Sequence, residues 1–212
     1  MANDSPSSVA PVYDRIAGWF DSNRIRTLIE RPYLDAVMEA LPPGAAILDL
    51  GCGTGEPILR YLIERGFAVT GVDASAAMIE LARMRFPGTL LLTGDMRTVQ
   101  LHQRFDAVIA WHSLFHLSHA DQRAMFPIFA RLLNPGGLLM FTSGSTYGEV
   151  WSDNGGEALY HASLEASEYR GLLEGQGFRV IRHAADDADC GGATVWIAQY
   201  RPGEHHETPT RL

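Results

Sequence analysis

The chain has 212 residues, a net charge of −8 and 46% hydrophobic residues, a composition typical of a globular domain with a large core. All 17 of its basic residues are Arg, and Lys is absent. The lack of Lys excludes a P-loop nucleotide site, a pyridoxal or Schiff-base enzyme and a protein kinase, because each of these needs a Lys at its reacting centre. The acidic balance, with Arg scattered along the chain, also argues against a nucleic-acid partner.

The two ends of the chain differ in composition from the rest. Residues 1–11 are rich in Ser, Pro and Ala and predict a disordered leader, while residues 201–212 predict a solvated tail in which His205 and His206 have no role. Residues 12–200 then form a single domain. No apolar run approaches the roughly 20 residues of a membrane span, and two cysteines cannot build a disulfide framework, so we expect a cytoplasmic protein with no membrane contact.

Apolar runs alternate with helical periods from about residue 45 to residue 200, which predicts an α/β sheet covered by helices on both faces. One predicted helix begins at Ser75 and turns Met78, Ile79 and Leu81 inward. In chain order, the predicted strands are 46–50, 68–72, 89–93, 105–111, 138–143, 178–183 and 193–200. The other predicted helices are 57–65, 121–133, which ends at an Asn-Pro-Gly-Gly turn, and 165–174.

Residues 144–167 interrupt this alternation. The segment has no clear period and contains aromatic and His side chains among Gly, Ser and acidic residues. Long irregular stretches inside compact domains are uncommon and are often functional. We therefore expect an insertion on the substrate side of the domain.

A glycine-rich loop follows the first predicted strand, with Gly51, Gly53 and Gly55 at alternate positions. Glycines at such a place let the backbone turn tightly and approach a ligand closely, because no Cβ intervenes. A dinucleotide-binding loop would have Gly where this chain has Glu56, and an acid there would repel a pyrophosphate. The ligand of this loop is therefore not expected to be a diphosphate.

Asp73 ends the second predicted strand, 22 residues beyond Gly51. At this place in a doubly wound sheet a carboxylate can accept hydrogen bonds from both hydroxyls of a ribose. The alternative is a purely structural role, in which Asp73 caps the helix that begins near Ser75.

Four segments together resemble the class I S-adenosylmethionine-dependent methyltransferases of the small-molecule type: residues 48–55, 71–73, 94–96 and 133–137. The resemblance runs from about Tyr13 to Tyr200. It implies a Rossmann-like, doubly wound sheet of seven strands, whose last strand is antiparallel and lies between the fifth and the sixth. It also implies that S-adenosylmethionine lies across the carboxyl ends of the strands, where ligands bind in such sheets.

The same resemblance implies a set of cofactor contacts on the loop, the strand ends and an N-terminal helix: Tyr13, Asp49, Gly51, Gly53, Asp73, Ala74, Met78, Asp95, Met96, Ala110 and Trp111. Among them, Asp73 is expected to hold the ribose and Asp95 to accept from the adenine amino group. Tyr13 either reaches the cofactor carboxylate or only packs its helix down. Because this cofactor carries a sulfonium and an ammonium, Asp49 and Glu56 would face positive charge.

Methyl transfer from a sulfonium needs alignment and exclusion of water, and a base only when the acceptor is protonated. The candidates for such a base are His116 and His112, which follow the fourth strand; both could instead be structural. A metal site at this pair is not expected, because no third ligand follows in a metal-binding pattern.

The small-molecule methyl acceptor is expected to bind against the 144–167 segment, which offers aromatic walls with a few polar groups: Tyr147, Trp151, Tyr160 and His161. The alternative is a surface loop that these side chains merely anchor. Nothing in the sequence indicates which atom is methylated or the oligomeric state.

Two other functions compete with methyl transfer. A non-catalytic S-adenosylmethionine-binding module would keep the same glycine loop and the same Asp73. An NAD-dependent oxidoreductase of the short-chain type needs a Tyr-x-x-x-Lys pair, which a chain without Lys cannot supply.

Overall fold

The computed structural model describes residues 8–203 of the chain. Most of the predicted leader and tail, including His205 and His206, lies outside these residues. The leader was predicted to extend through residue 11, but the first helix already begins at Ala10, because Pro11 suits a first helical turn. None of the helices between residues 8 and 203 is both long enough and apolar enough to cross a membrane.

Nine strands are present in the described chain: β1 Ala46–Leu50, β2 Ala68–Asp73, β3 Leu90–Thr93, β4 Phe105–Ala110, β5 Leu133–Ser143, β6 Gly148–Asn154, β7 Glu157–Ser163, β8 Phe178–Asp187 and β9 Ala193–Tyr200. Seven of them form one sheet in the order β3-β2-β1-β4-β5-β9-β8. Strands β1 to β5 are parallel, and β9 runs antiparallel to both β5 and β8. The predicted Rossmann-like sheet, with its last strand inserted before the sixth, is confirmed.

Six α-helices accompany the strands: α1 Ala10–Asn23, α2 Arg31–Glu39, α3 Ile58–Glu64, α4 Ala76–Arg85, α5 His119–Leu132 and α6 Ala166–Gly175. Successive strand residues point to opposite faces of the sheet, so Ile47 joins one core cluster and Leu48 the other. The first cluster packs α2, α3 and α4 against the sheet, and the second packs α5 and α6. Helix α2 has no counterpart among the predicted elements.

Two local predictions differ from the structure. In α4 the buried side chains are Met78, Ile79 and Ala82, whereas Leu81 is only half-buried because it lies at the edge of the inward face. The Asn-Pro-Gly-Gly segment is a bulge inside β5 rather than a free turn, since β5 pairs with β4 on both sides of it. Asp106 fixes this bulge by accepting from the Asn134 amide at 2.8 Å.

The 144–167 segment is not irregular, as the sequence suggested, but contains an antiparallel hairpin of β6 and β7. The alternation of apolar and polar residues that is typical of a strand is not visible in its sequence, because the two faces of the hairpin have different surroundings. Gly155 and Gly156 form the turn with φ values of +63° and +83°. The turn touches α1: a Cβ on Gly155 would lie 2.7 Å from the ring of Trp19.

Gln122 of α5 holds this hairpin to the body of the domain. Its side chain is fully buried and its amide donates to the carbonyl oxygens of Leu117 and Ala162, each at 2.9 Å. Its own carbonyl oxygen accepts from the hydroxyl of Tyr169 in α6. One side chain therefore satisfies polar groups of the turn before α5, of α6 and of β7 at the same time.

The substitution Gln122→Leu should lower the free energy of unfolding by about 2–4 kcal/mol, because it leaves buried carbonyl and hydroxyl groups without their partner. Urea denaturation followed by circular dichroism measures this change. Gln100→Leu, at an exposed position, is the control and should change stability by no more than about 0.5 kcal/mol. Equal effects of the two variants would contradict the assigned role of Gln122.

Candidate active site

A cavity of about 980 Å³, including its mouth, lies at the carboxyl ends of the central strands and beneath helix α1. The turns after β1, β2 and β4 form its floor, and α1 forms its roof. Twelve of the thirteen predicted cofactor-contact and base residues line it: Tyr13, Asp49, Gly51, Gly53, Asp73, Ala74, Met78, Asp95, Met96, Trp111, His112 and His116. We call it the first cavity.

The glycine loop forms the floor of the first cavity through two residues with positive φ, Gly51 at +83° and Gly53 at +54°. A Cβ on Gly51 would lie 2.3 Å from the Cβ of Ser113, so only glycine lets the turn after β4 pack here. Around Gly53 the space is open, and the nearest atom to an added Cβ is on Phe20 at 4.0 Å. The loop therefore presents bare backbone to the cavity.

Asp73 is oriented by backbone groups on both sides of its carboxylate. One oxygen accepts from the Gly53 N–H and the other from the Ser75 N–H, each at 2.8 Å. Desolvation raises the pKa of Asp73, and these two hydrogen bonds act against that rise. A carboxylate has about four acceptor positions, so each oxygen can still accept a hydrogen bond from a ligand hydroxyl. The capping role and the ligand role are therefore compatible, although Ser75 itself caps α4.

A second acid, Asp49, lies at the end of β1 and is almost completely buried. Desolvation raises its pKa to about 7, Arg24 acts against this rise, and Asp73 and Glu30 add to it. Arg24 follows the last residue of α1 and lines the first cavity. Its Nε is buried and has no hydrogen-bond partner among the described residues. The cavity thus contains both an acid poised to bind positive charge and a cation with an unused donor.

His116 lies in a short 3₁₀ turn after β4 and joins three parts of the molecule. Its Nδ1 is 2.9 Å from the carbonyl oxygen of Tyr160, which can only accept, so this nitrogen carries the proton. Its Nε2 then accepts from the hydroxyl of Tyr13 in α1 at 2.9 Å. Burial lowers the pKa of His116 to about 4 and raises that of Tyr13, so both groups are neutral at pH 7. With both nitrogens engaged, His116 has no lone pair for a metal.

Helix α1 is held over the first cavity by polar contacts at several points along its length. Asp14 accepts from the Ser75 hydroxyl at 2.6 Å and from the Ala77 N–H at 3.1 Å, which ties α1 to the start of α4. Asp21 pairs with Arg85 at the other end of α4. An exposed ion pair between Arg15 and Glu157, at 2.7 Å, connects α1 to the hairpin.

A second, more open cavity lies between the hairpin and the ends of β5 and β9, with a volume of about 1100 Å³ that includes its wide mouth. Two residues predicted to contact the acceptor, Tyr147 and His161, line it together with Phe115 and Glu149. Its floor consists mainly of small residues, at positions 142–146 and 191–193. The second cavity thus combines aromatic, hydroxyl and carboxylate groups.

His112 lines both cavities. Its φ is +49°, a value uncommon for a residue with a Cβ, and its N–H donates to the Thr142 hydroxyl at 2.9 Å. The ring stacks on Trp111 with centroids 5.1 Å apart. Burial lowers the pKa of His112 to about 4, so the imidazole is neutral at pH 7.

Three sequence interpretations do not match the geometry. Ala110 does not line the first cavity, because its side chain is buried in the core on the α5 side. Tyr160 and Trp151 do not line the second cavity: Tyr160 is fully buried, and Trp151 contacts it from the outer side. Two further acids of the sequence analysis, Asp95 and Glu56, line the first cavity.

The carboxylates of Asp95 and Glu56 already bind arginines of the protein. Asp95 accepts from the backbone and the side chain of Arg97, which lowers its pKa. Glu56 accepts from the Arg60 Nε at 2.8 Å, one helical turn away. Their charges are therefore balanced within the protein, in contrast to that of Asp49.

Sequence reasoning missed Arg24 and Glu149. Every basic residue of the chain is Arg, so the sequence does not distinguish one Arg from another. Only the position of Arg24 at the end of the covering helix could have indicated that it lies at the cavity. Glu149 is one of several acids in its segment, and only the fold of the hairpin shows that it lines the second cavity. Phe20 of α1 also lines the first cavity, where its ring packs edge to face against that of Tyr13.

Comparisons with known proteins agree with this geometry. A family model described as a methyltransferase domain matches residues 47–137, which include the glycine loop and Asp73. The chain is 32% identical over 180 residues to the malonyl-[acyl-carrier protein] O-methyltransferase of Serratia marcescens, covering 80% of this chain and 68% of that protein.

A dTDP-3-amino-3,6-dideoxy-alpha-D-glucopyranose N,N-dimethyltransferase of Streptomyces fradiae is 39% identical over 101 residues, covering 47% of this chain and 39% of that protein. The chain thus spans less than half the length of that relative. The solved structure of the S-adenosylmethionine-bound amino pentose methyltransferase CalS10 from Micromonospora echinaspora has the same fold, with a TM-score of 0.68, 22% identity, and coverage of 89% of this chain and 96% of that one.

The sheet order, the glycine loop and the extent of the Serratia marcescens match lead to one assignment. The chain belongs to the class I S-adenosylmethionine-dependent methyltransferase family.

Proposed function

We propose that the protein transfers a methyl group from S-adenosylmethionine, bound in the first cavity, to a small molecule bound in the second cavity. The observation that carries this proposal is the position of His112, which lines both cavities. A donor and an acceptor on either side of one side chain are close enough to be brought into line. The acceptors in the relatives' names, a carrier-bound malonyl group and an amino sugar, differ too much to name this one.

The residues of the first cavity fit the cofactor. The bare backbone at Gly53 provides a place for its methionine part, and the two oxygens of Asp73 provide acceptors for the two ribose hydroxyls. Met78, which is buried in the cavity wall, would pack near the adenine. Asp49, whose charge no close ion pair balances, suits a ligand that carries positive charge.

Arg24 would hold the carboxylate of the methionine part. It is one of two arginines that line the first cavity, and the other, Arg97, pairs with Asp95 and Asp121. The Arg24 Nε is buried without a partner, which is costly unless a ligand acceptor reaches it. The Coulombic influence of Arg24 on Asp49 indicates that it lies on the β1 side of the cavity, where the methionine part is expected.

The protein's contribution to the reaction would be orientation and exclusion of water. Bound S-adenosylmethionine supplies a methyl group that is activated by its positively charged sulfur. Helix α1 closes the first cavity, and the hydrogen bond from Tyr13 to His116 holds the roof to the wall nearest the second cavity. His112 stays neutral and packs on Trp111, so it lines the path between the two ligands without adding charge.

The two competing functions are less consistent with this geometry. A binding module would have no use for a second cavity adjoining the first through His112. A dehydrogenase of the short-chain type would need a Lys, and the chain has none.

The substitution Asp73→Ala should weaken binding of S-adenosylhomocysteine by about tenfold or more, because it removes charge-assisted hydrogen bonds to the ribose. Isothermal titration calorimetry measures the affinity. Because Asp73 also orients Gly53, the same titration uses 5′-methylthioadenosine and its 2′,3′-dideoxy analogue. Loss of the hydroxyls should weaken binding to the natural protein and leave binding to the variant unchanged. An equal loss in both proteins would rule out the ribose contact.

The substitution Arg24→Met should weaken binding of S-adenosylhomocysteine by about tenfold and leave that of 5′-methylthioadenosine unchanged, because only the former has a carboxylate. Arg26→Met is the matched control: Arg26 is exposed, lies two residues away and pairs with Asp21 at 3.4 Å. The control should bind both ligands as the natural protein does. A parallel loss of both ligands in Arg24→Met would indicate a structural role only.

Binding of S-adenosylmethionine should strengthen as the pH rises towards 7 and then level off. The pKa of Asp49 is raised to about 7, and a cationic ligand favours the ionised carboxylate, so binding below this pH must first expel a proton. The expected slope approaches a factor of about ten per pH unit on the acidic side. Calorimetry in buffers of different ionisation enthalpy counts the released proton. Asp49→Asn should abolish this release; an unchanged release would place the titrating group elsewhere.

A further inference from the structure

The charges around the second cavity restrict what it can bind. Among the described residues that line it there is no Arg, and the chain contains no Lys. The only acidic side chain in the wall is that of Glu149. A phosphate or carboxylate on the acceptor would meet no cationic partner here and would lie near a negative charge, which is unfavourable in a partly buried site.

The two histidines of the wall do not reverse this balance. Burial lowers the pKa of both His112 and His161, so both are neutral at pH 7. His161 packs between Phe115 and His116, with ring centroids 5.0 Å and 4.8 Å away. These rings offer stacking surface and one or two hydrogen-bonding nitrogens, and they provide no positive charge for an anion.

Glu149 is held in place by the α5 side of the molecule. Its carboxylate is 3.4 Å from Nδ1 of His119, and the Nε2 of the same ring contacts the carbonyl oxygens of Gly148 and Ser163 at 3.1 Å. Tyr147 stacks on His119 with centroids 4.4 Å apart. The acid is therefore part of an ordered rim, although its side chain remains 44% exposed. An ordered carboxylate at the mouth of a neutral cavity suits a cationic group.

We propose that the acceptor is a small amine without acidic groups, and that Glu149 is the residue that selects it. This inference rests on the proposed function and adds the class of acceptor to it. The aromatic rings of Phe115 and Tyr147 fit an apolar body, and the hydroxyl and backbone groups at positions 142–146 fit the polar edge of such a molecule.

The chemistry of the transfer also favours an amine over an alcohol. The neutral nitrogen attacks the methyl carbon with its lone pair, the C–N bond forms as the C–S bond breaks, and the electron pair of that bond stays on sulfur. The amine that Glu149 binds as an ammonium must transfer one proton to solvent before this attack, because only the neutral nitrogen has a lone pair. The positive charge then passes from sulfur to nitrogen as the C–S bond breaks. Glu149 favours the charge that develops on nitrogen. An alcohol would need a base, and histidines with lowered pKa values are weak ones.

The test uses matched ligands of one shape: 2-phenylethylamine, 2-phenylethanol and 3-phenylpropionate. Each is titrated at pH 7 into the full chain saturated with S-adenosylhomocysteine, and protein NMR shifts of residues lining the second cavity report binding. The amine should bind about tenfold more tightly than the alcohol, as expected for a charge-assisted hydrogen bond, and the carboxylate more weakly still.

Variants then assign the preference to Glu149. Glu149→Gln should reduce the affinity for the amine about tenfold, and Glu149→Arg should reverse the order of amine and carboxylate. Glu39→Gln, at an exposed position at the end of α2, is the control and should preserve the order. Equal binding of amine and carboxylate, tighter binding of the carboxylate, absence of amine binding, or a preference that survives Glu149→Gln would each overturn the inference.

The same titrations separate this inference from the proposed function. If S-adenosylhomocysteine itself does not bind, the proposed function fails. The comparison of the three ligands on the protein alone then still decides whether the second cavity selects amines. If S-adenosylhomocysteine binds and the amine preference is missing, only the choice of acceptor fails.

Discussion

The structure depends on the burial of two carboxylates at the carboxyl ends of β1 and β2. Removing a charged acid from water is costly unless hydrogen bonds or opposite charge replace the lost hydration. For Asp73 the protein supplies two backbone N–H groups, whereas for Asp49 it supplies only the partial influence of Arg24. A positively charged ligand can offset the remaining desolvation cost of Asp49, so the burial of this acid favours binding of a cationic cofactor.

Helix α1 makes this burial possible. Its residues line the cavity beside both acids and contribute to the desolvation that raises their pKa values. Its contacts are mostly polar and partly exposed, such as the Arg15–Glu157 ion pair, and each is therefore weak. The hydrogen bonds of Tyr13 with His116 and of Asp14 with Ser75 are better shielded, because His116 and Ser75 are buried, and breaking either would leave buried polar groups unpaired.

The sheet and the first cavity could be predicted from the sequence because their signals are local. Three signals lie within 27 residues of one another: a buried strand, alternate glycines such as Gly51 and Gly53, and an acid after the next strand. The ends of parallel strands must meet at one edge of the sheet, so these residues come together. The hairpin could not be predicted in the same way. Its strands show no clean alternation, and its position follows from Gln122, a residue outside the segment. For the same reason Tyr160 and Trp151 were misplaced: which face of β7 or β6 meets the cavity is a tertiary property.

The two cavities are connected by the positive charge that the proposed methyl transfer would move from the cofactor to the acceptor. In the proposed reaction the first cavity would receive a positive charge, which Asp49 would balance, and the transfer would move that charge towards the acceptor. A second carboxylate at the rim, Glu149, would then face the charge after it has moved. The residue between them, His112, is kept neutral by burial, so it opposes neither the initial nor the final charge distribution. A protonated imidazole at this position would repel the sulfonium and the product ammonium alike. The low pKa of His112 thus follows from the same desolvation that excludes water from the path of the methyl group.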